Sequence, residues 1–449
     1  MQLIVPNIQP FRGLRYDLGN VGALSDVVAP PYDVIDSKMQ DRLYQRHPEN
    51  VIRLILNRDQ PDDGPQSKYL RAAAELRNWQ REGVMTLENQ PALYVYHQTF
   101  THEGQTYTRR GFMARVLLEP FGTGNIFPHE ETHSKAKQDR LNLITACKAN
   151  LSQVFGLYPD PDNVVQESLE VLVPSITPLE AVDELGVTHR MWPITNTDVN
   201  SKVSQLIGDL PVYIADGHHR YETACNYRDA RIAEGTHTAV CDYVLMMLVS
   251  MDDPGMVVLP THRMFRGIPP MDHQELKSKL ADRFVVTKIG TGAAVAEQLW
   301  EEIELEGSQE VLGLYTAKDD CWNRVELSPE GMDRLAEIAA DHCDDWRGLG
   351  VSILHHLLVQ DCLGLSDLPT PKYVHRVEEV IQGIQTGDDV GRDATGQVGE
   401  GQPFQLCAMV MPASLDHIRN VSQAFERMPA KSTYFYPKLL SGLVINPLG

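Results

Sequence analysis

A mixed α/β chain is predicted, and two observations predict it. Apolar strand-like runs alternate with amphipathic stretches, as in Ala92–Phe100, Tyr221–Glu234 and Tyr243–Ser250. The 449 residues are 42% hydrophobic and 22% charged, which is too apolar for a disordered chain and is matter for about two large domains or three smaller ones. No internal repeat stands out at periods of about 20–50 residues.

Taken in order, Gln2–Val5 reads as a strand. Val27–Ile35, with two prolines and Asp33, reads as an extended, turn-rich loop. Asp36 or Ser37 can cap a short helix that ends near His47, and Val51–Leu56 reads as a strand. Ser67–Glu82 is an amphipathic helix; Ala92–Phe100 and Thr106–Leu118 form an antiparallel pair turning at His102–Gln105. Leu141, Ile144 and Leu151 fall near helical spacing, and that segment closes at Val154–Tyr158. Met191–Ile194, Leu210–Ala215 and Tyr243–Ser250 are further strands, and the helix Tyr221–Glu234 stops at Gly235. Arg266-Gly267-Ile268-Pro269-Pro270 breaks the pattern, so the chain is divided into residues 1–265 and 266–449. Helices follow around Arg334–Val359, and Thr386–Gln402, rich in Gly and Asp, reads as a surface loop.

Lys and Arg number 40 against 61 Asp and Glu, a formal net charge of -21. A field of that sign opposes nucleic acid and anionic membrane, while small anionic ligands answer to local geometry. No run approaches the ~20 apolar residues of a membrane span. The start, Met1–Phe11, has neither a basic nor a long apolar stretch, and this predicts a cytoplasmic chain. The 7 cysteines are scattered and never form CxxC, as expected of reduced thiols.

The most informative run is Leu210–Ala224, where an apolar strand feeds a glycine turn that opens into a helix. Amides and the positive dipole end at a helix start bind anions, and Gly217 lets an anion approach the backbone. Arg220 can hold a phosphate with its fork. His218 and His219 are candidate acid–base or nucleophilic groups. Asp216 would hold a divalent metal or polarise a hydroxyl. The alternative is that Asp216 caps the helix and Arg220 pairs with a neighbouring carboxylate.

This run resembles, together with APPYDVI at Ala29–Ile35, FPHEETHSKAKQDR at Phe127–Arg140, LPTHR at Leu259–Arg263 and MPAKSTYFYPK at Met428–Lys438, the domain of unknown function 1015 family over essentially the whole chain. More locally, the Gly-His-His-Arg turn at Gly217–Arg220 is similar to the corresponding turns of sulfiredoxin and the ParB-like proteins, some of which phosphorylate free serine. That likeness implies a ParB/sulfiredoxin-like N-terminal region with a C-terminal α/β region, and phosphate binding by Gly217 and Arg220. His218 stands where sulfiredoxin keeps its cysteine, which argues against sulfinic-acid reduction. The family resemblance makes Phe127–Arg140 a ligand-facing loop opening a helix, with Glu130 and Glu131 for metal or general base and Lys135 and Arg140 for phosphate; a solvated charged loop is the alternative.

The same stretch contains HExxH at His129–His133. A zinc helix is not assigned, since Ala136 is the one aliphatic residue from His129 to Arg140 and no Glu occurs between Glu131 and Glu167. Gly290-Thr291-Gly292 imitates a dinucleotide turn, but Val295 fills the third small position. Arg263 would add a cation to the site or sit at a solvent-facing strand end. Lys431 and Lys438 lie in segments rich in phosphate-type donors, and His355-His356 reads as core packing within an apolar helix.

The expected function is a nucleotide-dependent phosphoryl-transfer enzyme, a small-molecule kinase using ATP or ADP with Mg2+. Gly217, Arg220, Lys135, Arg140, Arg263, Lys431 and Lys438 would bind phosphate; Asp216, Glu130 and Glu131 would hold metal; His218, His219, Asp216 and Glu130 would do the chemistry. The partner is a phosphate-bearing small molecule, with neither nucleic acid nor membrane involved. The alternatives are a non-catalytic nucleotide- or metabolite-binding regulator and a metal-dependent hydrolase built on His129 and His133.

Overall fold

The computed structural model describes residues 7–122, 124–130, 134–208, 210–366, 368–387 and 403–449, without the side chains of Ser134 and Lys135. The chain divides into two units, one of Met1–Pro128, Thr132–Val257 and Pro437–Gly449, the other of His129–Glu131 and Val258–Tyr436. The α/β expectation holds: both units combine helices with a sheet.

The first unit is built on a mixed sheet whose strands run in the order Ile126–Pro128, Val212–Asp216, Val154–Tyr158, Tyr243–Ser250, Gln105–Leu117, Leu93–His102, Thr188–Ile194 and Leu179–Val182. Val212–Asp216 lies parallel to Ile126–Pro128 and antiparallel to Val154–Tyr158. Tyr243–Ser250 is buried along its whole length. Its unbroken apolar sequence therefore reflects a central strand covered on both faces rather than an alternating, half-wet one. Phe112, Val154, Met246 and Leu248 belong to the core cluster that this packing creates. The helices Ser134–Cys147 and His218–Ala233 pack on each other.

The last residues of the chain return to this unit and are stitched in by buried polar side chains. The Arg109 guanidinium donates to the carbonyl of Pro437, Gln98 donates to that of Lys438 at 3.0 Å, and Gln153 donates to that of Leu440 at 3.0 Å. Each satisfies a backbone oxygen that would otherwise be buried at a cost of about 1–3 kcal/mol.

The second unit is built on an antiparallel sheet ordered Phe284–Gly290, Cys321–Leu327, Val311–Thr316, Leu406–Met409, His262–Phe265 and Lys372–Val374. The helices Ala293–Glu306 and Val377–Thr386 pack together, burying Leu299, Ile303 and Val380 in one cluster with Met264 and Met409. Pro329–Ile338 packs against Ile353–Cys362, a ten-residue segment with π-helical hydrogen bonding.

Several expectations change here. Val51–Leu56 is not a strand: Ile52–Ile55 is a helical turn, because Asn50 accepts from the Ile52 amide at 2.9 Å and donates to the carbonyls of Asp26 and Val28. Local side-chain bonds of this kind draw a short apolar run away from a ladder. The long helix begins at His218 rather than Tyr221, since Gly217 occupies the cap position. The chain crosses between units at Val257/Val258 and returns at Pro437, so Lys438 belongs with the first unit. Gln2–Val5 and most of the expected loop at 386–402 lie outside the described residues. The 7 cysteines are all free thiols. Among the described residues no helix is long and apolar enough to cross a membrane.

Candidate functional site

The strand Val212–Asp216 carries a register shift between Ile214 and Asp216, where it leaves its ladder with Val154–Tyr158. Gly217 follows at φ +88, a left-handed conformation that favours glycine, and His218–Ala233 starts at once. Amides in the first turn of such a helix have no intrahelical acceptor, which leaves a positive end facing the elbow.

Arg220 folds back over that glycine. Its guanidinium donates to the Gln153 carbonyl and, at 3.1 Å, to Asp216 Oδ1. Lys438 Nζ donates to Asp216 Oδ2 at 2.7 Å. Asp216 thus receives a cation on each carboxylate oxygen, and the cap position is held by Gly217. The pairing of Arg220 with a carboxylate, the alternative reading of the sequence, is what is found. It leaves further N–H donors on the guanidinium fork.

Arg220 also lines a cavity of about 50 Å3, together with Tyr32, Arg140, Thr223 and Ala149–Ser152. Arg140 comes from the helix Ser134–Cys147. It bonds the Ile55 carbonyl at 2.7 Å, pairs with Asp139, and lies 4.1 Å over the Tyr32 ring. Burial acts to raise the Asp139 carboxyl, but Arg140 and the Tyr69 hydroxyl outweigh it and hold it low. Burial and then Asp33 push the Tyr32 phenol up, while Arg140 and Arg220 pull it down, which puts Tyr32 within electrostatic reach of both arginines. Thr223 is 2% exposed and its hydroxyl has no hydrogen-bond partner among the described residues. A buried hydroxyl left unsatisfied costs about 1–3 kcal/mol, and this one borders a cavity with two guanidinium groups. The volume exceeds the ~10–15 Å3 that one water needs and suits a phosphate-sized anion.

His218 is buried and His219 half-buried in the first turn. Glu130 belongs to the second unit, where its Oε1 accepts from the Thr433 amide at 3.3 Å and hydroxyl at 3.1 Å. His129 Nε2 also bonds the Thr433 hydroxyl, at 2.9 Å. His129 precedes the helix, which begins at Ser134, while Glu131 and His133 lie outside the described residues, as does the side chain of Lys135. Arg263 is not at a solvent-facing strand end. It is fully buried in the second unit and donates to the carbonyl of Lys431 at 2.9 Å. Lys431 therefore meets Arg263 through its backbone.

Mg2+ fits this donor set poorly. Among the described residues no three His, Cys, Asp or Glu side chains cluster to hold a metal, and Asp216 already receives Arg220 and Lys438. Tyr32 and Thr223 were given no site role by the sequence. Tyr32 stands in the quoted APPYDVI motif and Thr223 in the Leu210–Ala224 run, where it reads as one more small residue on an amphipathic helix.

The family described as "Protein of unknown function (DUF1015)" matches residues 8–352, and the chain belongs to that family. No curated protein matches it. Among solved structures, it is similar to a free serine kinase variant in complex with ADP, at 10% identity and a TM-score of 0.31, over 69% of this chain and 84% of that one. It is also similar to C-terminally truncated SbnI from Staphylococcus aureus, at 11% identity and 0.33, over 75% and 87%. A conserved hypothetical protein from Pyrococcus furiosus stands at 12% and 0.31, over 70% and 89%. Likenesses of this size carry no inference about activity here.

Proposed function

We propose that this DUF1015 chain binds a phosphate-bearing small molecule, a nucleotide such as ATP or ADP, at the Gly217–Arg220 elbow and transfers a phosphoryl group to a hydroxyl acceptor. One observation carries the reading: Arg140, Arg220, Tyr32 and an unsatisfied Thr223 hydroxyl line one cavity. They come from three chain segments that the sequence marks separately. Two guanidinium groups and a helix start supply the charge complementarity that phosphoryl transfer demands more than it demands covalent chemistry. His218 and His219 are the candidate bases, and the GHHR likeness to ParB-like proteins supports a nucleotide as ligand. No step is routed through Mg2+, because Asp216 is bound to Arg220 and Lys438.

That same pairing favours a second reading, a non-catalytic nucleotide or metabolite sensor, because an Asp216 held by two cations neither ligates metal nor polarises a hydroxyl. Incubation with labelled ATP or ADP and a panel of hydroxylated metabolites, beside calorimetry with the same nucleotides, separates the two. The enzyme reading expects a phosphorylated acceptor, and Arg220→Ala abolishes both binding and turnover. Binding without product leaves the sensor, and absence of binding removes both.

A further inference from the structure

The second unit contains a cavity of about 350 Å3 that the reading above does not use. His342, Trp346, His355, His356, Tyr373 and Arg427 line it. The rings are fixed in place. His342 and Trp346 stack with centroids 3.7 Å apart and planes 5° apart, and Trp346 meets His356 nearly edge-on at 4.8 Å. The indole N–H donates to the Arg427 carbonyl at 2.9 Å, and His342 Nδ1 bonds Glu426 at 2.7 Å. Rigid flat walls of this kind suit a flat ligand, since aromatic contacts add to burial when geometry is held.

The wall has a second peculiarity. His355 and His356 are not packed in an ordinary apolar helix as the sequence suggested; they stand in the π-helical segment Ile353–Cys362, together with Gln360. Residues five apart share a face when hydrogen bonds run from i to i+5, so His355 and Gln360 both reach the cavity. Such turns are rare and occur frequently at functional sites.

Charge then selects the ligand. Arg263, fully buried, donates to the carbonyls of Thr261 and Lys431 and to His355 Nε2 at 3.3 Å, and lies 5.6 Å over the Tyr373 ring. No carboxylate is within ion-pair distance of it among the described residues, and Glu130 acts on it only from further away. Burial lowers the guanidinium to about 10, so it stays cationic at neutral pH. As donor to Nε2 it also keeps His355 neutral, and burial, then Arg263, bring that imidazole down to about 3. A guanidinium with no carboxylate within ion-pair distance among the described residues therefore stands behind His355, with Arg427 lining the same space.

We propose that this cavity is a binding site for a small aromatic carboxylate, its ring held against Trp346 and the histidines and its charge met by Arg427 and the field of Arg263. A volume of 350 Å3 is at the lower end of the ~300–1,000 Å3 typical of ligand sites and suits one or two fused rings. The inference is independent of the phosphate reading, which concerns the other unit.

The test is calorimetric titration of the full chain with benzoate and indole-3-acetate, against the uncharged indole-3-acetamide and against AMP. Saturable binding of at least one carboxylate in the millimolar range or tighter is expected, with the amide about tenfold weaker or more. Gln360→Glu places a negative charge at an exposed lining position, where the fold tolerates it, and should weaken the carboxylate about tenfold. Arg427→Gln should do the same while retaining the carbonyl that Trp346 uses. Arg220→Ala should leave the affinity for the carboxylate unchanged. The proposal is overturned by carboxylates that fail to saturate, by an amide that binds as well as the acid, by affinity unchanged in Gln360→Glu and Arg427→Gln, or by AMP, and no carboxylate, binding in a manner that Gln360→Glu and Arg427→Gln weaken.

Discussion

Gly217→Ala perturbs the elbow with a single carbon. At φ +88 a β-carbon is strained by about 1–2 kcal/mol. The added carbon would also lie 2.9–3.0 Å from Nε, Cζ and Nη2 of Arg220, so the guanidinium must move off the glycine. That movement loosens the 3.1 Å bond to Asp216, whose side chain and that of Arg220 are 15% and 13% exposed. A hydrogen bond between charged groups is worth about 1.5–3 kcal/mol, and losing part of it brings the total to roughly 2–3 kcal/mol. At about 2–4 °C per kcal/mol for a unit of this size, the melting temperature should fall by roughly 4–12 °C. Circular dichroism against temperature measures that fall, and calorimetry with ADP should show affinity reduced about tenfold or more, because the phosphate ligand has moved. A variant that melts within about 1 °C of the parent and binds ADP equally well would refute the account of Arg220 as a side chain seated on the glycine.

Thr223→Val keeps the shape and removes the unsatisfied hydroxyl; the ligand-free protein should be unchanged or up to about 1 kcal/mol more stable in urea denaturation, while ADP binds more weakly. Lys438→Met leaves Asp216 with Arg220 alone, and because both partners are 15% exposed a loss of about 1–3 kcal/mol is expected in the same assay, between the values for exposed and buried pairs. The second unit should weaken in acid. Burial, then Arg263, bring His262 down to about 3, as burial brings His355, so both bind protons in the unfolded chain below pH ~6.5 and not in the folded one. Stability is full above pH ~6.5 and is lost as pH falls toward 3, by about 3 kcal/mol for the pair between pH 6.5 and 5. A flat urea-stability profile over that range, or one unchanged by His262→Gln, would count against it.

Much of this was legible because local physics fixed it. Tyr243–Ser250 reads as a buried strand since every residue from Val244 to Val249 is apolar, and the Asp36 cap marks the helix that follows it, Ser37–Arg46. The elbow was legible for the same reason: a strand, a glycine and a helix adjoin in sequence. Long-range partners decided what was not. Asn50 turns Ile52–Ile55 away from a strand by bonding carbonyls more than twenty residues distant. Thr223 acquires meaning only when Arg140 and Tyr32 arrive beside it, and nothing in Ile353–Cys362 announces i to i+5 bonding. Lys438 illustrates the limit: its motif was visible, but its place beside Asp216 follows from the tail's return to the first unit.

Three arginines separate structural from ligand-facing roles by what satisfies them. Arg109 is fully buried and lowered to about 10 by burial. It spends its donors on Gln98 and the Pro437 carbonyl and so holds the returning tail. Arg263 is equally buried and spends its donors on carbonyls and a neutral imidazole. It differs in that a ring-walled cavity lies beyond His355. Arg220 is neither fully buried nor saturated. It shares Asp216 with Lys438, borders a cavity with Arg140, and sits in the first turn of a helix. Burial alone would rank it last of the three. What raises it is that an incoming anion could take its remaining donors without breaking the fold, whereas removing Arg109 from its carbonyl would release the strand-to-tail stitching.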